Sequence, residues 1–278
     1  MSPFEGKITT DYICTFMKSQ ENSSGKPLAA ANWLEAHHQA KLPERTAFAQ
    51  RLSRLAPKSI VDLGCASGLW FEVLNQLLPS ECEFIGIDSD AELLNMAVQR
   101  SKSWKRKVSF LQLDLEQDLA KIPPSDLTLA FNIFPYIKDL DVFLKTLSLR
   151  IPRGTLAVRQ YDGASIRFGP MPTSKRQKIE LDLRIATECS QKFHHYDLDR
   201  TYNVLRHSSY QQCSYEFELF ERTSPFPHEF VSYYKETLLW YCQFISKSSA
   251  DYLLSWINND PFMQNRYFYE VDLVALLS

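Results

Sequence analysis

Glycine is scarce in this sequence. There are 8 among 278 residues, where average usage near ~7% would give roughly 19, and that shortage excludes collagen-like repeats and glycine-rich linkers. Charge of one sign is lacking too: 31 Lys+Arg stand against 33 Asp+Glu for a formal net of −2. No whole-protein field therefore draws the chain onto nucleic acid or anionic lipid. No apolar run approaches the ~18 residues of a spanning helix, and Met1 to Tyr12 mixes Glu5, Lys7 and Asp11 among small polar residues without the apolar stretch of a signal peptide. The six cysteines (Cys14, Cys65, Cys82, Cys189, Cys213, Cys242) lie far apart and form no C-x-x-C. They are read as reduced core or near-core thiols of a cytoplasmic protein. Histidine spacing offers neither H-x-H nor H-x-x-x-H, so no metal site is expected.

What is present is apolar and aromatic: 45% hydrophobic residues and 13% Phe, Trp and Tyr, enough for the core of a sizeable globular fold. Residues 1–57 read as an N-terminal helical cap. Ala29 to Lys41 carries helix formers around Trp33, Leu34, His37 and His38, and Phe48, Leu52 and Leu55 recur at helical spacing until Pro57 stops them. From residue 58 to 278 the pattern changes to strands alternating with helices. Strands are expected at Ile60 to Leu63, Glu83 to Asp88, Val108 to Leu113, Leu127 to Phe131 and Thr155 to Tyr161, with helices between them. That alternation predicts a doubly wound α/β fold around a parallel sheet. Two alternating strands, Cys213 to Leu219 and Tyr269 to Leu273, then predict an antiparallel edge and a mixed sheet of seven strands. Helical insertions are expected at about 162–196 and 222–265.

The chemistry gathers at Val61-Asp62-Leu63-Gly64-Cys65-Ala66-Ser67-Gly68. A strand that feeds a glycine-bearing turn and opens a helix brings backbone close to a ligand. Asp88, with Ser89 beside it, follows twenty positions past Gly68 at the next strand end. A carboxylate there can accept both hydroxyl hydrogens of a ribose. Asp114 ends the third strand, where its carboxylate can accept from an exocyclic amine while the Leu115 N–H serves a ring nitrogen. A dinucleotide loop wants G-x-G-x-x-G for pyrophosphate, but counted from Gly64 the second and third glycine positions hold Ala66 and Leu69. Asp62 would repel pyrophosphate and attract an amine. A cationic, amino-acid-bearing adenosine meets both conditions.

These residues, together with Phe131-Asn132 at the fourth strand end, resemble the class I S-adenosylmethionine-dependent methyltransferases, over residues 59 to 161. The resemblance implies a Rossmann-like sheet in the order 3-2-1-4-5-7-6 and S-adenosyl-L-methionine as cofactor. It implies that Gly64, Cys65, Ala66 and Gly68 pass the methionine part, Asp88 holds ribose, Asp114 and Leu115 hold adenine, and Asn132 faces the amino-acid moiety. Ala66 departs from the glycine that many members carry.

Trp33 is expected in a lid over the cofactor. Tyr136 and Tyr161 are expected in the acceptor pocket, because ligands in such sheets bind beyond the carboxyl ends of the strands. If the acceptor must lose a proton, His37, His194, His195 and Asp162 are the candidate bases. The expected reaction is methyl transfer to an O, N or C nucleophile of a small molecule, with no membrane partner. An RNA or protein acceptor, or a non-catalytic cofactor-binding role, stand as alternatives; the basic run Lys102, Lys105, Arg106, Lys107 reads as a solvated turn and not as a nucleic-acid groove.

Overall fold

The computed structural model describes residues 17–23, 27–190, 192–193, 195–259 and 263–278. An antiparallel hairpin, β1 (Met17–Glu21) with β2 (Pro27–Ala29), comes first. It corrects the expectation of a wholly helical N-terminal segment: strands of 5 and 3 residues are too short to carry a readable alternation. Two helices follow, α1 (Ala31–Ala40) and α2 (Leu42–Ser53), the second started by Pro43 within its first turn.

The parallel part then forms as the apolar runs predict. β3 (Ser59–Leu63), α3 (Leu69–Asn75), β4 (Glu83–Asp88), α4 (Ala91–Ser101), β5 (Val108–Gln112), β6 (Leu127–Phe131), α5 (Leu140–Arg150) and β7 (Thr155–Tyr161) alternate along the chain. Near-continuous apolar sequence in β3 and β6 fits strands buried on both faces. Next come β8 (Arg167–Gly169), α6 (Thr173–Cys189), α7 (Leu198–Arg206), β9 (Cys213–Thr223), α8 (His228–Tyr241), α9 (Lys247–Asn258) and β10 (Tyr267–Leu277).

The sheet runs β5-β4-β3-β6-β7-β10-β9, with the first five strands parallel and β10 antiparallel to both neighbours. Counted among the seven expected strands, this is the implied order. The eighth strand is β8, whose three residues pair with Tyr267 to Tyr269 at the start of β10, while β7 pairs with Asp272 to Leu277 farther along. It lies in the stretch read as a helical insertion and is again too short to show a period.

Leu52 and Phe48 of α2 with Trp70, Phe71 and Leu74 of α3 cover one sheet face, and Phe143, Leu147 and Leu205 from α5 and α7 cover the other. A third core joins β8, α6, α8 and α9 through Phe168, Leu183, Phe230, Tyr234 and Leu253. Of the cysteines, Cys65, Cys82 and Cys242 are buried as expected, whereas Cys189 and Cys213 are exposed and Cys14 lies outside the described residues. Among the described residues no helix is long and apolar enough to cross a membrane.

Strand order reverses at β3, which has β4 on one side and β6 on the other. A crevice beyond the carboxyl ends of those strands follows from that reversal.

Candidate active site

A cavity of about 250 Å³ opens at this switch point. One end is the acidic rim. Asp88 turns both carboxylate oxygens onto backbone: Oδ2 accepts from Ala66 N at 2.8 Å and Oδ1 from Asp90 N at 2.9 Å. The carboxylate keeps acceptor capacity beyond these amides. Burial pushes this carboxyl's pKa up, against the amides of Asp90, Ala66 and Ser89 that favour its charge. Asp90, one step on, caps α4 by accepting from Glu92 N and Leu93 N, so the capping role falls to it and Asp88 stays available. Asp114 accepts from Glu116 N at 2.9 Å. The Leu115 N–H donates to no acceptor among the described residues.

The glycine loop forms the floor. Gly64 has φ +71°, and a Cβ there would sit 2.6 Å from the Ile133 side chain, so the close approach needs glycine. Gly68 takes φ +78° as the N-cap of α3. Between them Ala66 is held at φ +48°, left-handed without being glycine. The loop amides are already committed: Gly64 N and Cys65 N donate to Ile87 O, Ala66 N to Asp88, and Gly68 N to Cys65 O. A loop that offers so few free N–H groups is a poor phosphate cradle.

Two expected members of the floor are displaced from it. Gly68 caps the helix and does not reach the cavity wall, and Asp62 lies beneath the loop, 2% exposed, with Oδ2 unpartnered and its carboxyl pushed well up, chiefly by burial and then by Asp88. Cys65, Ala66, Asp88, Ser89, Asp114, Leu115 and Asn132 all reach the wall. Asn132 sits at φ +56°, a conformation Asn tolerates, and its Oδ1 accepts from Tyr161 N at 3.1 Å.

The other end is aromatic. Trp33 and His37, one turn apart on α1, meet Tyr233 of α8: the His37 ring stacks on Tyr233 at 5.2 Å and 9°, and Trp33 lies 5.5 Å from it. Tyr136 and Tyr161 line this end as expected, joined by Tyr196, whose OH donates to Tyr136 OH at 3.2 Å. Burial pushes the phenols of Tyr136, Tyr161, Tyr196, Tyr233 and Tyr241 up, so all stay protonated near neutrality.

Of the candidate bases among the described residues, only His37 is brought to the cavity. Burial and then Lys41 lower its pKa well below the usual value, which leaves it neutral and weakly basic. Asp162 is outside the wall because its carboxylate turns back to accept from Ala164 N at 3.0 Å. His195 is also outside it, in a left-handed turn at φ +75°. His194 lies outside the described residues.

Sequence reasoning missed Arg45 and Glu270. Glu270 belongs to the polar side of β10, which alternation marks as solvent-facing, yet it is 1% exposed. It accepts from Tyr233 OH at 2.8 Å and is ion-paired to Lys41. Tyr233, Trp240 and Tyr241 come from the aromatic run between β9 and β10, where a surplus over one helix face was the visible signal.

Against known families, residues 60–149 match the model of the methyltransferase domain. The chain is 29% identical over 135 residues to trans-aconitate 2-methyltransferase of Rhodopseudomonas palustris (strain BisB5), covering 48% of this chain and 50% of that protein. A second such enzyme, from Acidovorax ebreus (strain TPSY), is 30% identical over 136 residues, 47% of this chain and 50% of that one. The chain thus spans about half the length of the curated relatives it matches. In fold it is similar to the YcgJ protein of Bacillus subtilis, with a TM-score of 0.52 at 11% identity over 85% of this chain and 98% of that one.

Proposed function

We propose that this chain, whose residues 60–149 match a methyltransferase domain, is a class I S-adenosylmethionine-dependent methyltransferase that binds S-adenosylmethionine along the switch-point cavity and methylates a small molecule at the aromatic end. The carrying observation is the continuity of one cavity from an acid rim with unused acceptor positions to a wall of protonated phenols. The residues fit the cofactor. Asp88 keeps acceptor capacity for the hydroxyls of a ribose. The Leu115 N–H, which has no acceptor among the described residues, suits a ring nitrogen, with Asp114 beside it for the exocyclic amine. A floor whose amides are spent suits a ligand part without phosphate.

When bound, the cofactor supplies a methyl group already activated on a sulfonium. The work of the chain is alignment and exclusion of water. Trp33, Tyr233 and Tyr196 close the aromatic end, and their rings leave little room for solvent beside the acceptor. The phenols donate hydrogen bonds and do not take protons, and His37 is a weak base. An acceptor that arrives with a free lone pair suits such a wall better than one that must be deprotonated there.

Calorimetric titration with S-adenosylhomocysteine tests the cofactor reading. We expect binding by the wild type and a loss of at least about tenfold in Asp88→Ala, which removes two charge-assisted hydrogen bonds. No binding by the wild type, or unchanged binding by the variant, overturns it. Incubation with methyl-labelled cofactor and a metabolite extract tests the acceptor class: label should enter the small-molecule fraction. Label in RNA or protein alone, or no transfer to any fraction, would replace the small-molecule reading with one of its rivals.

A further inference from the structure

Among the described residues, the buried cations Lys41 and Arg159 have acids assigned to them, whereas buried Arg45 in the cavity wall has none within ion-pair distance. Lys41 pairs with Glu270 and with Asp272 at 3.6 Å. Arg159 takes Asp272 at 2.7 Å and Glu218 at 2.8 Å, and Arg51 closes the row on Glu216 and Glu218. Glu216, Glu218, Glu270 and Asp272 of β9 and β10 are thereby engaged by other cations. Arg45, on α2 and 7% exposed, lines the cavity, and among the described residues no carboxylate comes within 4.0 Å of it. Among the described residues its side chain has a single hydrogen bond, from Nη1 to His38 Nδ1 at 2.6 Å, and it lies 5.0 Å over the Trp70 ring. Asp62 and Asp272 are the acids that face it. Asp272 is engaged by Arg159 and Lys41, and Asp62 is held toward its neutral form by burial.

A guanidinium offers five N–H donors in a planar fork. Most of that fork is unspent here, and it faces the cavity. Two neutral groups in the same wall are also buried and, among the described residues, without a hydrogen-bond partner: His37 Nε2 and the Tyr241 OH. A cationic fork flanked by neutral donors is the complement of a carboxylate, which needs bidentate N–H contacts and has lone pairs left over for a further donor.

We propose that Arg45, with His37 beside it, is the carboxylate-binding group of this cavity and takes the carboxylate of a ligand bound there. Two sources lie within the proposed function on which this inference rests: the amino-acid end of the cofactor, and a carboxylate carried by the acceptor. Both present the same chemistry to Arg45, and binding separates them.

The cofactor source is tested by titrating wild type and Arg45→Gln with S-adenosylhomocysteine and with its analogue lacking the carboxyl group. If Arg45 takes that carboxylate, the wild type prefers the carboxylated ligand by at least about tenfold and the variant does not. The acceptor source is tested on protein saturated with S-adenosylhomocysteine, by thermal shift with trans-aconitate, glutarate and benzoate against their amides. If Arg45 takes the acceptor's carboxylate, at least one acid stabilises the wild type, its amide does not, and Arg45→Gln loses the difference. The inference is overturned if neither probe set shows a carboxylate preference in the wild type, or if every preference survives in Arg45→Gln. Should that variant not fold, a wild type without any preference still overturns it, and Arg45→Lys, which keeps the charge but not the fork, should retain only part of any preference found. Failure of the wild type to bind S-adenosylhomocysteine at all removes the cofactor reading itself. Cofactor binding that depends on Asp88 but not on Arg45 removes only the cofactor as the source of the carboxylate.

Discussion

At the scale of single residues the glycine loop is a set of backbone conformations before it is a set of contacts. Gly64 and Ala66 both lie in the left-handed region, at φ +71° and +48°, where an L side chain costs about 1–2 kcal/mol. Gly64 also has no room, since a Cβ would meet Ile133 at 2.6 Å. Gly64→Ala is therefore expected to cost about 2–3 kcal/mol, strain and overlap together. Ala66→Gly should run the other way and stabilise by up to about 1 kcal/mol. Urea denaturation of the two variants checks both signs. Equal effects at the two positions would mean that the loop relaxes and the positive φ values exert no control. The same conformations explain why the loop was legible in sequence although Ala66 is not glycine: Gly64 and Gly68 stand at the two positions where φ and close approach act together. Arg45 was illegible for the opposite reason, because an arginine at helical spacing looks the same whether its partner is an acid, water or a ligand.

Among elements, the strands of the parallel sheet were legible because a strand buried on both faces must be apolar throughout. The edge misled in one respect. Alternation in β10 separates Glu270 and Asp272 from the apolar side correctly, but it says nothing about what covers the polar side. Here α1 and α2 cover it. Lys41, at their junction, pairs with Glu270 and Asp272, and Arg222 of β9 reaches Glu44 of α2 at 2.7 Å. Glu270 and Lys41 are both nearly inaccessible to solvent, so removing Lys41 leaves Glu270 as a buried carboxylate without its cation. Lys41→Met is expected to destabilise by about 3–5 kcal/mol, and adding Glu270→Gln should recover the larger part, because the Tyr233 OH can still donate to the amide oxygen. Thermal unfolding of the single and double variants measures this. A double variant no more stable than the single one would show that the pair contributes packing and not charge balance. The helices so anchored carry Trp33, His37 and Arg45, which is how a stretch without a sequence motif comes to form one wall of the site.

For the whole molecule, burial of two adjacent histidines ties folding to pH. The usual His pKa of 6.5 falls to about 3 for His38, through burial first and then Arg45 and Arg100, and that of His37 is lowered well below the same value. Arg45 donates to His38 Nδ1, so a proton on that nitrogen would break the bond and set two cations side by side. The folded chain therefore keeps both rings neutral where the unfolded chain would protonate them. Stability from this source is complete above pH ~6.5 and declines as pH falls towards 3, by at most about 1.4 kcal/mol per pH unit for each ring. Raised carboxyls work in the opposite direction. Asp62, and Glu236 with a pKa pushed up to about 7 by burial, take protons in the folded state before the unfolded one and gain stability on acidification. The net curve mixes the two signs, and the His38 contribution is isolated by difference. His38→Gln preserves an acceptor for Arg45 without a titratable ring. Between pH 7 and pH 5, the wild type should lose stability relative to this variant, by about 1–2 kcal/mol over the interval, in paired urea titrations. A difference that stays constant with pH would show that His38 titrates alike folded and unfolded, and that the bond from Arg45 does not hold it neutral.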